Sequence, residues 1–200
     1  MASALPNLGV HSVVVSLPDI EADELVPICE VLCQEGFKLW AVTTDRVPDL
    51  PALLRVFGRR ARIGVQNVTA PEQVVMARDA GAAFAASAYL LPDLVSAAPD
   101  LPVILGGLTP SELHAGASAG AAAVQIVPTE AFGTSYSRTL PGMVSADLIA
   151  TGRLERYQAE LWLESGAVAV WPHDLIGREL ISGDSLDPLR VKLQQWRLGD

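Results

Sequence analysis

Lysine is nearly absent. The 200-residue chain has two, Lys38 and Lys192, against 12 arginines, so chemistry that needs a side-chain amine has two places to come from. Cysteine is as scarce. Cys29 and Cys33, four residues apart, fit the apolar face of a helix in a reduced, cytosolic setting rather than a disulfide framework. Basic charge is short as well: 14 Lys and Arg against 23 Asp and Glu leave a net charge of −9. That sign repels phosphate backbones and anionic lipid, which argues against nucleic-acid and membrane-surface partners. No apolar run reaches the ~18 residues of a membrane helix. The opening MASALPNLGVHS lacks the basic start and apolar core of a signal peptide, so a soluble, cytoplasmic protein is expected. The three histidines show no zinc or iron spacing, and P-loop, dinucleotide and Ser-His-Asp patterns are missing. No metal and no cofactor are expected.

What is present is a repeat. Half of the residues are hydrophobic and 18% are charged, which suits one domain over residues 1–200 with a sizeable core. Four stretches share a pattern of amphipathic segment, glycine and short apolar run, centred on Gly36, Gly81, Gly120 and Gly166. Glycine just past a helix takes the left-handed conformation that closes it, and the apolar run after it reads as a buried parallel strand. VVVSL (13–17), ARIGVQ (61–66), PVILGG (102–107) and ADLIAT (146–151) supply further strands, for eight in all. TAPE (69–72) and TPSE (109–112) read as capping boxes that start helices. Leu25, Ile28, Cys29, Leu32 and Cys33 form one apolar helical face; Leu154, Tyr157 and Leu161 form another. Alternating β and α without hairpin signals predicts an α/β fold, a small (β/α)8 TIM barrel in a single domain. An open flavodoxin-like sheet would leave three strands unassigned.

The order of PVILGGLTPSELHAGASAGAAAVQIVPTE, LWAVTTDR, IGVQNV, FAASAYL and ATGR resembles the 2-keto-3-deoxy-6-phosphogluconate (KDPG) and 4-hydroxy-2-oxoglutarate (KHG) aldolases, from about Val13 to Trp196. The resemblance implies a class I aldolase barrel, usually trimeric, acting on keto acids. It also implies a Schiff-base lysine on the sixth strand, where this chain has Gln125, and a general-base glutamate in the second, where it has Ala41. An amide cannot form the iminium that stabilises the carbanion of C–C cleavage. The family's carboxylate-binding arginine matches Asp45, with Arg46 adjacent. Its phosphate-binding glycine turns after strands seven and eight match Thr151-Gly152-Arg153 and Trp171-Pro172-His173; Pro172 removes an amide donor, while Arg153 and His173 offer charge instead.

The C-terminal barrel face is then expected to gather Thr43, Asp45, Arg46, Gln66, Asn67, Ser87, Thr109, Gln125, Thr129, Glu130, Thr151, Arg153 and His173. Gln125, Glu130 and His173 are the catalytic candidates. Arg46, Asp45, Gln66, Asn67, Thr109, Thr151 and Arg153 are the candidates for holding substrate. For each there is a plainer alternative: Glu130 as a turn-capping carboxylate, His173 as a surface histidine, residues 131–143 as irregular surface rather than a lid. Lys38 at the start of strand two and Lys192 in the last helix are both expected away from the mouth. Three functions stay open: a repurposed acid/base enzyme on a small carboxylate or keto acid; a non-catalytic binding or partner protein; and a metal-dependent aldolase with a cation between Asp45 and Glu130. A homotrimer is expected from the resemblance.

Overall fold

The structure, a computed structural model, describes residues 13–183 and 185–198; His11 and the opening segment lie outside them. Eight strands alternate with eight helices: β1 Val14–Ser16, α1 Ala22–Gln34, β2 Leu39–Thr43, α2 Leu50–Phe57, β3 Arg62–Gln66, α3 Pro71–Asp79, β4 Ala85–Ala86, α4 Asp93–Ala97, β5 Val103–Gly107, α5 Pro110–Ser118, β6 Ala123–Ile126, α6 Ser135–Thr139, β7 Leu148–Gly152, α7 Arg156–Glu164, β8 Ala169–Pro172 and α8 Asp187–Gln195. All strands are parallel and pair in sequence order from β1 to β8. A Val13–Val170 bridge brings the last strand back to the first. This is the expected (β/α)8 barrel. Helices also join the ends of the ring. Glu35, 6% exposed at the end of α1, accepts from Arg190 at 2.5 Å and from Arg197 at 2.7 Å, both on or next to α8.

The period of two along each strand divides the apolar residues into two cores. Val13, Val15, Val42, Ile63, Val65, Leu105, Val124 and Val170 face the helices, where Leu25, Ile28, Cys29 and Leu32 of α1 meet them. Val14, Leu39, Ala41, Phe84, Ile104, Ile149 and Trp171 fill the barrel. Two aromatics dominate that interior. Phe84 and Trp171 meet edge to face with centroids 6.1 Å apart. Space for them comes from small neighbours: a Cβ on Gly64 would stand 2.5 Å from the Phe84 ring.

The repeat glycines behave as the pattern requires: Gly36, Gly81, Gly120 and Gly166 have φ between 86° and 111° after α1, α3, α5 and α7. Three local expectations need correction. Helix α3 begins at Pro71, one residue late for a box built on Thr69 and Glu72. Gln73 instead accepts from the Thr69 and Ala70 amides at 2.7 and 3.1 Å. On α7 the inward residues are Ala159 and Trp162, whereas Tyr157 is 52% exposed. The helix starts only at Arg156, after Leu154, and its phase turns the small Ala159 toward the sheet. Residues 131–143 are not irregular throughout: they contain α6, pinned by the fully buried Leu140.

Gly106 marks the tightest strand crossing, since a Cβ there would overlap the Ala88 backbone. Gly106→Ala should lower stability by about 2–3 kcal/mol. Gly142→Ala, where nothing lies within 4 Å, should stay within about 0.5 kcal/mol. Urea midpoints measure both; equal midpoints would show that the β4–β5 crossing has slack.

Candidate functional site

The strand ends carry a connected polar set inside the barrel. Gln125 sits two residues beyond the inward Ala123 and pairs in register with Gly106 on β5 and Ile149 on β7. The amide of Gln125 reaches past β5 to the segment after β4. Its Nε2 donates to the Ser87 carbonyl, just past β4, at 2.7 Å. Its Oε1 accepts from Thr151 Oγ1 on β7 at 2.8 Å. A carbonyl only accepts, so Ser87 fixes which end of the amide is nitrogen. Gln125 and Thr151 are 4% and 3% exposed.

A second chain crosses the same end from the other side. Trp171 Nε1 donates to Ser16 Oγ at 2.9 Å, and Ser16 donates to Gln66 Oε1 at 2.9 Å. These bonds link β8, β1 and β3, while the first set links β4, β6 and β7. Two separate hydrogen-bonded sets thus engage these polar groups at the strand ends. Ser16 went unnoticed in the sequence, although its place two residues after the inward Val14 is the signal that finds it. Trp171 both packs on Phe84 and donates.

The other candidates lie around the rim. Arg46 donates to the Ile20 carbonyl and pairs with Asp49 at 3.0 Å and Asp19 at 3.6 Å, so its charge is already balanced. Asp45 is exposed on the turn after β2. Asn67 is exposed with a left-handed φ of 62°. Thr109 caps α5: its hydroxyl accepts from the Glu112 amide, and Glu112 accepts from the Leu108 and Thr109 amides at 2.9 and 2.8 Å. Those donors hold the Glu112 carboxyl below its ordinary range. Tyr136 on α6 donates to the Leu108 carbonyl at 3.1 Å; burial, then the charge of Glu112, pushes its phenol up.

Glu130, Arg153 and His173 come from neighbouring loops after β6, β7 and β8. Glu130 Oε2 accepts from the Arg153 amide at 3.0 Å, which is the turn-capping role. The His173 amide donates to the Gly152 carbonyl at 3.0 Å, and its ring is exposed. Arg153 faces Asp174 at 3.6 Å with both side chains exposed. Outside the barrel, between the turn after β6 and α7, lies a small open groove whose lining includes Thr129, Glu130, Arg153, Leu154, Leu161 and Trp162. The Thr129 hydroxyl is buried without a hydrogen-bond partner, a state that costs about 1–3 kcal/mol.

Neither lysine is at this end. Lys38 is exposed before β2, at the opposite rim, and Lys192 Nζ lies 5.9 Å over the Trp196 ring on the outside of α8. Cys29 is buried and its thiol pushed up to about 12, by burial first and then by Cys33. Among the described residues no group of three or more His, Cys, Asp and Glu side chains is placed to hold a metal ion. Among them no helix is long and apolar enough to cross a membrane.

The family model "KDPG and KHG aldolase" matches residues 5–187. A 2-dehydro-3-deoxy-phosphogluconate aldolase of Haemophilus influenzae is 30% identical over 116 residues, 56% of this chain and 55% of that protein. A 2-dehydro-3-deoxy-6-phosphogalactonate aldolase of Escherichia coli is 27% identical over 121 residues, 58% of this chain and 59% of that protein. The matched region thus spans little more than half the length of either relative. A solved KDPG aldolase from Legionella pneumophila, with pyruvate captured as a covalent carbinolamine, superimposes at a TM-score of 0.79 and 22% identity. That match covers 92% of this chain and 93% of the other.

Gln125→Leu keeps the volume but strands the Ser87 carbonyl and the Thr151 hydroxyl, and should cost about 2–4 kcal/mol. In a double-mutant cycle with Thr151→Val, denaturation should show a coupling of about 1 kcal/mol. Additive losses would mean that the two side chains do not act as a unit.

Proposed function

This chain belongs to the KDPG and KHG aldolase family, and we propose that it is a member without Schiff-base chemistry, a non-catalytic protein that binds a small carboxylate. The observation that carries this reading is the Gln125 amide, held at both ends between Ser87 and Thr151. Aldol cleavage of a 2-keto acid through an iminium needs a primary amine beside the carbonyl. At the strand ends this chain offers an amide whose donor and acceptor are both engaged, and its two lysines stand elsewhere.

Three further features support it. The Ala41 methyl faces the barrel interior and has no proton to transfer. Arg46, next to the position matched to the family's carboxylate-binding arginine, is engaged by Asp49 and Asp19. Phe84 and Trp171 fill the interior beneath the mouth. Anion binding then falls to the exposed charges after β7 and β8, Arg153 and His173. The family's usual trimer and a cytoplasmic location belong to the same reading.

A second reading, an acid/base enzyme on a small carboxylate, is favoured by one observation: Glu130 and His173 both present exposed side chains on loops flanking β7. Metal-dependent aldol cleavage has less behind it, because Asp45 and Glu130 lie among no cluster of metal-binding side chains in the described residues.

Pyruvate release from a panel of 4-hydroxy-2-keto acids, with and without a phosphate group, tests the proposal when coupled to a reporter dehydrogenase. The wild type should release none, with or without EDTA. Ala41→Glu combined with Gln125→Lys should release some. Wild-type pyruvate would overturn the reading, and its loss in EDTA would install the metal-dependent one.

A further inference from the structure

Acidic residues outnumber basic ones along this chain, yet none occurs between Asp49 and Glu72, where Arg55, Arg59, Arg60 and Arg62 stand. That stretch is α2, the tight turn after it and β3, so the fold carries its charges to the end of the barrel opposite the mouth. Arg62 shares its phase along β3 with Gly64 and Gln66, which face the interior at Phe84 and Ser16, and it therefore stands at the lower opening. Its amide donates to the Lys38 carbonyl at 2.7 Å, which sets Lys38 beside it. Arg60 grips both oxygens of Glu30, at 3.0 and 2.9 Å, and lies 5.0 Å over the Phe57 ring. Lys38, Arg55, Arg59 and Arg62 are exposed, and among the described residues no carboxylate pairs with them. Glu35, close to Lys38 in sequence, is committed to Arg190 and Arg197. A helix C-terminus attracts cations, which accounts for Arg55 in the last turn of α2. Lys38 and Arg62 open strands, so the helix dipole does not account for them. Next to Arg55, Val56 is 53% exposed and sets an aliphatic group among the charges.

We infer that this face docks a short acidic segment of a partner protein, with carboxylates on Lys38, Arg59 and Arg62 and an aliphatic side chain against Val56. Arginine forks match carboxylate oxygens in pairs. Extent decides the class of partner. Neighbouring strands lie ~4.8 Å apart and a helical turn rises ~5.4 Å, so the cations cover roughly 15 Å, the reach of about five extended residues. A nucleic acid or an anionic bilayer extends farther and would bring its remaining charge against a chain of net charge −9. A short segment ends where the cations end. The face lies at the opposite end of the barrel from Gln125, so it stands whichever reading of the mouth holds.

Calorimetric titration of the full chain with an acetylated and amidated pentapeptide of sequence DELED tests it. The peptide should bind saturably at about 20 mM salt and at least about tenfold more weakly at about 200 mM, because the contacts are exposed. R59E combined with R62E should weaken binding about tenfold or more with Tm unchanged, and K38E alone about threefold. R138E combined with R178E, two exposed arginines elsewhere, should bind as wild type does. The peptide DESED should bind about threefold more weakly than DELED to wild type and equally to V56S. The inference is overturned by any of four results. DELED gives no saturable heat at low salt; R59E with R62E binds it as wild type does; the R138E, R178E control loses as much; or oligouridylate or phosphatidylserine vesicles bind more tightly than the peptide. Salt-dependent self-association in sedimentation that R59E with R62E abolishes would give the face to a second copy and overturn it as well.

Discussion

The hydrogen bonds from the Gln125 amide are the constraint on which the upper end of the barrel depends. A polar side chain in a buried strand is tolerable only if both ends of its amide find partners, because each unmet group keeps its full desolvation cost. Gln125 meets that condition through Ser87 and Thr151, which lie on opposite sides of it around the ring. The condition propagates. Beside it, position 106 must be glycine because the Ala88 backbone closes over that spot. Thr151 must face inward, which sets the phase of β7 and leaves Gly152 and Arg153 at the rim. Trp171, Ser16 and Gln66 solve the same problem on the other side of the axis.

This economy bears on function. A catalytic site keeps donors and acceptors in reserve for a substrate and its transition state. Here Gln125 and Thr151, and on the other side Trp171 and Ser16, spend that capacity within the barrel, and Arg46 is spent on Asp19 and Asp49. Unspent capacity appears farther out, at Arg153 and His173. In the account proposed, the barrel persists as scaffold while recognition shifts outward to the charges after β7 and β8.

The fold was legible because its signals are local. Four glycines with positive φ each close a helix and release a strand, and that punctuation is visible in the chain without tertiary knowledge. Gln125 was legible as an oddity in an apolar run, and alternation gave its direction. Its partners were not, since Ser87 acts through a backbone carbonyl from two strands away. Tyr157 misled because an aromatic at helical spacing looks like core, whereas the start of α7 at Arg156 turns Ala159 and Trp162 inward. Thr69 misled because a neighbouring glutamine competes for the same amides. The groove beside α7 was not legible as a unit: Glu130 and Arg153 stood out singly in the sequence, but only the folded chain brings its lining together.

Reductive trapping puts the central claim to its most direct test. The wild-type protein is incubated with pyruvate and borohydride, and its intact mass is compared with that of the Ala41→Glu, Gln125→Lys double variant. The account predicts no stoichiometric pyruvyl adduct on the wild type and an adduct at residue 125 in the variant. A stoichiometric adduct on wild-type Lys38 or Lys192 would show that an amine does reach a bound keto acid, and would contradict the account.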